Sequence, residues 1–160
     1  MGIIIFSRSI RSGKTTQLLN WCAGKTNVAG ILMPDVKGVR HFLNLASGET
    51  FRAECVEETG EDMISVGKYS FSKTAFTKAN QLLLDAVKEM PEVLVIDEVG
   101  KLELQQLGLY EAVRKAVEVY KDETLGKVLI LVVREGLVKV VVDAFGITEY
   151  ELVQNLELIK

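Results

Sequence analysis

The segment Gly13-Lys14-Thr15-Thr16 carries residue types that bind phosphate, and it precedes a helix-like amphipathic run. At a helix N-terminus, backbone N–H groups and the positive end of the helix dipole point at an anion. Gly13 lets the backbone come close to the phosphate. Lys14 would reach the β- and γ-phosphates, and the Thr15 hydroxyl would hold Mg²⁺. Thr16 would lie in the first helical turn, close to the α-phosphate. The spacing predicts a phosphate-binding loop that leads into a helix.

The loop before the lysine departs from the usual pattern. The pattern G-x-x-x-x-G-K-[ST] has glycine where Arg8 stands, and Arg11 fills a place that is often glycine. A non-glycine residue in the left-handed conformation costs roughly 1–2 kcal/mol, which a loop tolerates. Two interpretations stay open: the arginines bind phosphate oxygens, or they are exposed loop charges. The residues predicted to bind the nucleotide are Arg8, Ser9, Ile10, Arg11, Ser12, Gly13, Lys14, Thr15 and Thr16.

Two adjacent carboxylates, Asp97 and Glu98, follow the apolar run of residues 93–96. At the carboxyl end of a buried strand, Asp97 would hold through water the Mg²⁺ that Thr15 binds, so the predicted metal ligands are Thr15 and Asp97. Glu98 would orient or deprotonate an attacking water. Successive side chains of an extended strand point to opposite sides, so the two carboxylates are expected to divide these roles. Taken alone, the pair is also compatible with a polar strand end or a helix cap.

An arginine is a further candidate. Arg134 follows the apolar run of residues 127–133, and from there it would stabilise charge that develops on the phosphates. A solvated strand end is the alternative. The predicted catalytic residues are Glu98, Lys14 and Arg134.

Hydrophobic patterns predict the elements that position these residues. Continuous apolar runs at 3–6, 28–33, 93–96 and 127–133 are typical of strands buried on both faces. Spacings of three and four predict helices over 75–90 and 109–120, and a helix is also expected over 136–145. The segments 39–45 and 50–54 flank a Ser47-Gly48 turn and predict a hairpin. Short strands are expected at 64–69 and near Leu152.

This alternation predicts an α/β fold with a mostly parallel central sheet, helices on both faces and an added β-hairpin. A length of 160 residues favours one domain over residues 1–160.

A resemblance to a known family becomes specific after the acidic pair. Residues 97–104, with the sequence DEVGKLEL, resemble the D-E-[IL]-G-x-M-E-L signature of the nucleoside triphosphatases whose vertebrate members are called cancer-related nucleoside triphosphatases. Residues 29–37 followed by Arg40 are similar to that family's G-F-x-T-x-E-V-R segment, and residues 45–49 fit its hairpin. The similarity covers most of the chain in the same order.

The resemblance implies a RecA-like P-loop fold and Mg²⁺-dependent hydrolysis of nucleoside triphosphates with loose base preference. By this analogy, the functional residues of the family correspond in this chain to Lys14, Thr15, Asp97 and Glu98. It also favours a role for Asp35, Lys37 and Arg40, which the sequence alone would place in a polar turn. The chain departs from the family at several positions: Arg8 and Arg11 replace glycines, Asp35 replaces glutamate, Lys37 replaces arginine, and Asn155-Leu156 stands for Asn-Arg.

Composition limits the function classes. Lysine plus arginine is 19 against 22 acidic residues, a net charge of -3, so nucleic acid is not expected as a partner. Two cysteines without a CxxC pair and one histidine argue against a disulfide framework or a zinc site. The apolar N-terminal run is too short for a signal peptide, and later apolar runs have strand length. A cytoplasmic protein with no membrane partner is the expectation.

Three functions compete at this point. The first is hydrolysis of ATP, GTP or another nucleoside triphosphate with Mg²⁺. The second is a nucleotide or small-molecule kinase, because the same loop serves phosphoryl transfer to a hydroxyl. The third is a non-catalytic nucleotide-binding module, since the loop lacks two glycines. The base preference and the oligomeric state are not predicted.

Overall fold

Ten strands and five α-helices occur in the residues that the computed structural model describes, which are 2–9, 13–55 and 62–159. The strands are β1 (Ile3–Arg8), β2 (Val28–Leu32), β3 (Asp35–Val36), β4 (Val39–Asn44), β5 (Thr50–Arg52), β6 (Met63–Val66), β7 (Tyr69–Ser72), β8 (Val93–Val99), β9 (Val128–Arg134) and β10 (Glu151–Val153). The α-helices are α1 (Lys14–Cys22), α2 (Lys73–Glu89), α3 (Lys101–Leu104), α4 (Tyr110–Tyr120) and α5 (Val138–Ala144). Short 3-10 helices cover Glu123–Leu125, Glu135–Leu137 and Leu156–Leu158.

The main sheet has the strand order β10-β1-β9-β8-β2-β4-β3, and β5 pairs with β4. The five strands from β10 to β2 run parallel, whereas β4, β3 and β5 are antiparallel additions. The carboxyl ends of β1, β9, β8 and β2 therefore meet at one edge of the sheet. This arrangement confirms the predicted α/β fold with its mostly parallel sheet.

Both faces of the sheet are covered, because the central strands are apolar on both sides. Alternate residues of β1 belong to different cores: Ile3 and Ile5 pack in the core that α2, α4 and α5 cover, whereas Ile4 and Phe6 pack with Leu18 of α1. Leu156, from the last 3-10 helix, completes the second core. The predicted helices on both faces are confirmed.

Gly30 brings β2 close to β8. It has a φ of 142°, and a Cβ built on it would lie 2.0 Å from the carbonyl oxygen of Val95. A side chain at this position would push the strands apart, so glycine is required for their pairing. This pairing places Met33, just after β2, beside the end of β8.

Three details differ from the sequence predictions. The hairpin of β4 and β5 is confirmed, but the single strand expected at 64–69 is wrong: β6 and β7 form a second hairpin there, turning at Gly67 with a φ of 57°. β3 and β4 form a third hairpin. β8 is longer than expected and includes both Asp97 and Glu98.

Two further observations concern the thiols and the helices. Cys22 and Cys55 are both free and half-buried. Among the described residues, every helix falls short of the length and hydropathy that a membrane span requires.

Candidate phosphate-binding site

The start of α1 lies at the carboxyl edge of the sheet. β1 ends at Arg8, α1 begins at Lys14, and Gly13 precedes the helix in the left-handed conformation with a φ of 79°. The carbonyl of Gly13 accepts the N–H of Gln17 at 3.0 Å, which closes the first turn. The first N–H groups of a helix have no partner within the helix. They are therefore available to an anion at this point.

The side chain of Lys14 reaches back to Ser9, just after β1. Its residue is only 8% exposed, and its Nζ donates to the carbonyl oxygen of Ser9 at 3.3 Å. Thr16 is exposed in the first helical turn. Ile10, Arg11 and Ser12 lie outside the described residues, as does the side chain of Arg8, so their predicted phosphate contacts stay predictions.

Thr15 joins the helix to the acidic strand end. Its Oγ1 donates to Oδ2 of Asp97 at 2.8 Å, and the N–H of Met33 donates to the same oxygen at 3.2 Å. The first turn of α1 and the ends of β2 and β8 therefore meet at one carboxylate. The two residues predicted as metal ligands lie within hydrogen-bond distance of each other, although they are 82 positions apart.

Burial dominates the electrostatics of Asp97, which is 2% exposed. Burial, and then the charge of Glu98, raise the pKa of Asp97 to about 6. The hydrogen bonds from Thr15 and Met33 and the charge of Arg40 act in the opposite direction. Burial and the neighbouring carboxylate thus both disfavour the charged form of Asp97, and a cation bound beside it would favour that form.

Glu98 has different surroundings from Asp97. It is half-buried, and its Oε1 lies 3.8 Å from the position that a Cβ on Gly100 would take. The peptide bond between the two acidic residues is cis. Asp97 accepts a hydrogen bond from α1, whereas the Glu98 carboxylate lies near Gly100, just after β8. The two carboxylates can therefore serve different chemical roles.

The predicted arginine, Arg134, ends β9, the strand between β1 and β8. Its backbone is in register with Arg8 on β1, and its side chain is half-buried. It thus lies on the strand between β1, which precedes the predicted phosphate-binding loop, and β8, which carries the acidic pair.

The three residues after β2 to which the family resemblance gives a role differ in what they contact. The Asp35 carboxylate accepts the N–H of Gly38 at 2.7 Å, and Lys37 has a φ of 54°, so both shape the exposed turn between β3 and β4. Arg40 is different, because its charge lowers the pKa of Asp97 and its guanidinium lies 5.9 Å from the ring centroid of Tyr69. Arg40 is therefore the member of this group that acts electrostatically on the site.

Sequence reasoning gave no role to Glu103, which is 4% exposed. Burial raises its pKa to about 7, although three backbone hydrogen bonds favour the charged form. Its signal was present in the sequence, because it is the second glutamate of residues 97–104.

The raised pKa of Asp97 predicts a pH-dependent stability. Below about pH 4 the Asp97 carboxyl is protonated in both the folded and the unfolded chain. Between about pH 4 and 6 this carboxyl is ionised in the unfolded chain but still protonated in the folded one, which favours unfolding. Without nucleotide or metal, the contribution of Asp97 to the free energy of unfolding should therefore fall as pH rises through this range, by about 3 kcal/mol at most.

Asp97→Asn isolates this contribution, because asparagine does not titrate. The difference in free energy of unfolding between wild type and variant, from urea denaturation at several pH values, should move in the variant's favour as pH rises. Glu103 is present in both proteins, so its contribution cancels in the difference between their free energies of unfolding. A difference that stays constant between about pH 4 and 8 would contradict the raised pKa.

Comparison with known proteins agrees with this geometry. A family model described as NTPase matches residues 4–154. Among solved structures, the chain is similar to THEP1 from the hyperthermophile Aquifex aeolicus, with a TM-score of 0.74, 20% identity, and coverage of 97% of this chain and 91% of that one. No curated protein matches. The structural likeness shows the P-loop NTPase fold, and the family match covers nearly the whole chain. The chain therefore belongs to the NTPase family.

Proposed function

We propose that this protein hydrolyses nucleoside 5′-triphosphates, such as ATP or GTP, to the diphosphate and phosphate in a Mg²⁺-dependent reaction. The observation that carries the proposal is the 2.8 Å hydrogen bond from Thr15 Oγ1 to Asp97 Oδ2. It brings the hydroxyl at a phosphate-binding helix and the carboxylate at a buried strand end to one point. That pairing of groups is the one that P-loop enzymes use beside the triphosphate.

The donor set fits magnesium. Mg²⁺ prefers oxygen ligands, keeps several waters, and takes one or two protein oxygens plus substrate phosphates. Thr15 and Asp97 supply a hydroxyl and a carboxylate, and a bound cation would favour the charged form of Asp97, which burial and Glu98 disfavour. Within the described residues, no group of three or more His, Cys, Asp or Glu side chains could form an all-protein metal site. When bound, the ion would neutralise charge on the β- and γ-phosphates.

The other residues of the site have separate roles in the proposed reaction. Lys14 would exchange the carbonyl of Ser9 for β- and γ-phosphate oxygens, while the N–H groups at the start of α1 bind the phosphates. Glu98 would orient a water and accept its proton as the water oxygen attacks the γ-phosphorus. The bond from that phosphorus to the β–γ bridging oxygen then breaks. Arg134 and Arg40 would stabilise the charge that develops.

Magnesium dependence gives a direct test. With Mg²⁺ the protein should release phosphate from ATP and GTP, and chelation with EDTA should remove that activity. Thr15→Val keeps the shape of the side chain but removes the hydroxyl, and it should raise the Mg²⁺ concentration needed for half-maximal rate by about tenfold. Unchanged Mg²⁺ dependence would exclude Thr15 as a ligand.

A kinase is the competing activity, and the same assay separates the two. Labelled ATP is incubated with nucleosides, nucleotides and other small hydroxyl acceptors, and transfer is compared with phosphate release. Hydrolysis as the main activity predicts that added acceptors leave the rate of phosphate release unchanged. Faster transfer to any acceptor than to water would overturn the proposal. Binding of ATP without turnover would instead indicate a nucleotide-binding module.

We propose the cytoplasm as the place of action, where nucleoside triphosphates are abundant. The free thiols of Cys22 and Cys55 are consistent with a reducing compartment.

A further inference from the structure

Glu103 is a buried carboxylate that the proposed reaction does not use. Its Oε1 accepts the N–H of Gly100 at 2.8 Å, and its Oε2 accepts the N–H of Leu109 at 2.9 Å. An ionisable group that is 4% exposed carries a large desolvation cost unless it is hydrogen-bonded. Both oxygens are hydrogen-bonded to backbone groups, so the carboxylate ties two separated points of the chain together.

The two bonds close the segment of residues 100–109, which begins directly after β8. Gly108 shows how closely this segment wraps around the carboxylate. A Cβ built on Gly108 would lie 2.1 Å from Oε2 of Glu103, and the glycine has a φ of 61°. Only a residue without a side chain leaves room for the carboxylate to reach the N–H of Leu109.

Asn80 of α2 holds the same segment from the other side. Its Nδ2 donates to the carbonyl of Gly108 at 3.3 Å, and its Oδ1 accepts the N–H of Ala112 at 2.9 Å. The segment that Glu103 closes is thereby fastened to a long helix of the core. Gly100 is thus connected, through Glu103 and Leu109, to a segment that is hydrogen-bonded to α2.

Gly100 also lies close to the Glu98 carboxylate. Apart from Gly100 and its two chain neighbours, Oε1 of Glu98 is the heavy atom nearest to the position that a Cβ on Gly100 would take, at 3.8 Å. Only Val99, which is fully buried, separates the two residues in the chain. We therefore expect a backbone displacement at Gly100 to be transmitted through Val99 to Glu98, and a displacement of about 1 Å in a catalytic group can cost about 100-fold in rate.

We propose that Glu103 is a positioning residue for Glu98: by holding the N–H groups of Gly100 and Leu109, it fixes the direction in which Glu98 presents its carboxylate to the attacking water. The inference rests on the proposed function, because it assigns Glu103 a role in that reaction. Glu103 itself does not contact the reacting atoms, since both of its oxygens are bonded to backbone inside the closed segment.

Glu103→Gln tests this role, because glutamine has the same size but only one oxygen. Its amide nitrogen donates and would face one of the two backbone N–H groups, so that bond is lost. The kcat for phosphate release from Mg²⁺–ATP should fall by about tenfold or more, while the Kd for Mg²⁺–ATP stays within about threefold. Glu103→Asp keeps the charge but is too short to bridge both groups, and the same pattern with a smaller amplitude is expected.

A matched control loses a buried hydrogen bond near the opposite end of β8. The hydroxyl of Tyr120 donates to the carbonyl of Pro91 at 2.9 Å, near the amino end of β8 and away from the site. Tyr120→Phe should lower the melting temperature but leave kcat within about twofold of wild type. It separates a general loss of stability from a specific loss of rate.

The double variant Glu98→Gln/Glu103→Gln decides whether Glu103 acts through Glu98. If it does, the double variant should be no slower than Glu98→Gln alone, because the group that Glu103 positions is already absent. Multiplicative rate losses in the double variant would overturn the inference, and so would an unchanged kcat in Glu103→Gln. A loss of nucleotide binding in Glu103→Gln that equals the loss of rate would also overturn the inference.

Failure of the proposed function would look different. In that case wild type would not release phosphate, or Glu98→Gln would keep full activity whatever the behaviour of Glu103→Gln. If Glu103→Gln does not fold, Glu103→Asp and its double variant with Glu98→Gln supply the same comparison.

Discussion

Replacing Lys14 with alanine should abolish phosphate release and weaken the binding of Mg²⁺–ATP by about 100-fold or more. Lys14 is the first residue of α1, and its Nζ lies 3.3 Å from the carbonyl oxygen of Ser9. Hydrogen bonds to charged groups contribute about 1.5–3 kcal/mol each, and two phosphate contacts would be lost. Isothermal titration with Mg²⁺–ATP and a phosphate-release assay measure the two effects.

The unliganded fold should not depend on Lys14. Its ammonium is buried with one long hydrogen bond to backbone, so its removal relieves a desolvation cost while losing little. The melting temperature of Lys14→Ala without nucleotide should therefore be equal to or above that of wild type. Wild type should gain thermal stability from Mg²⁺–ATP and the variant should not.

Lys25→Ala is the matched control. Lys25 follows the same helix at its far end, where its Nζ lies 4.5 Å from the ring centroid of Trp21. This variant loses one positive charge but should keep wild-type binding and rate. If Lys14→Ala hydrolyses ATP as fast as Lys25→Ala, the assignment of the phosphate-binding loop is wrong.

The second large effect is expected for Glu98→Gln, which should lower kcat by about 100-fold or more, the range of general-base catalysis. Nucleotide binding should persist, because the glutamate is assigned to the water and not to the phosphates. Loss of the Glu98 charge also removes a repulsion that raises the pKa of Asp97. The same charge also attracts Mg²⁺, so the two effects oppose each other, and nucleotide and metal binding should change much less than the rate in this variant.

Glu92→Gln makes the same chemical change at the other end of the strand. Glu92 is exposed and directly precedes β8, so its substitution should leave rate and binding unchanged. The two variants carry equal charge, which removes net charge as an explanation. Full activity in Glu98→Gln would exclude the proposed mechanism, whereas loss of binding together with rate would place Glu98 at the metal or the phosphates.

The predicted Arg8 and Arg11 contacts bear on how fast the reaction runs. These arginines stand where glycines are usual, and their guanidinium groups either bind phosphate or point to solvent. Single Arg→Ala substitutions distinguish the two interpretations through the Kd for Mg²⁺–ATP.

Much of the fold could be predicted from the sequence because the relevant physics is local. Apolar runs identified the four central strands β1, β2, β8 and β9, and spacings of three and four identified α2 and α4, since burial on a strand or a helix imposes these periods. The Ser47-Gly48 turn was found because the left-handed conformation favours glycine. The hairpin of β6 and β7 was missed, although Gly67 marks its turn, because the apolar positions on both sides resemble one short strand.

The same distinction applies to the candidate site, of which one part could be predicted from the sequence and another could not. The sequence by itself determined which residue types are available for phosphate and metal chemistry, and that Lys14 and Thr15 begin a helix while Asp97 and Glu98 end a strand. Only the tertiary structure decided that Thr15 and Asp97 lie 2.8 Å apart, that Arg40 and not Asp35 or Lys37 acts on Asp97, and that Glu103 is buried under Gly108. These properties depend on the packing of segments that are distant in the chain, and no local pattern encodes a distance or a desolvation cost between such segments.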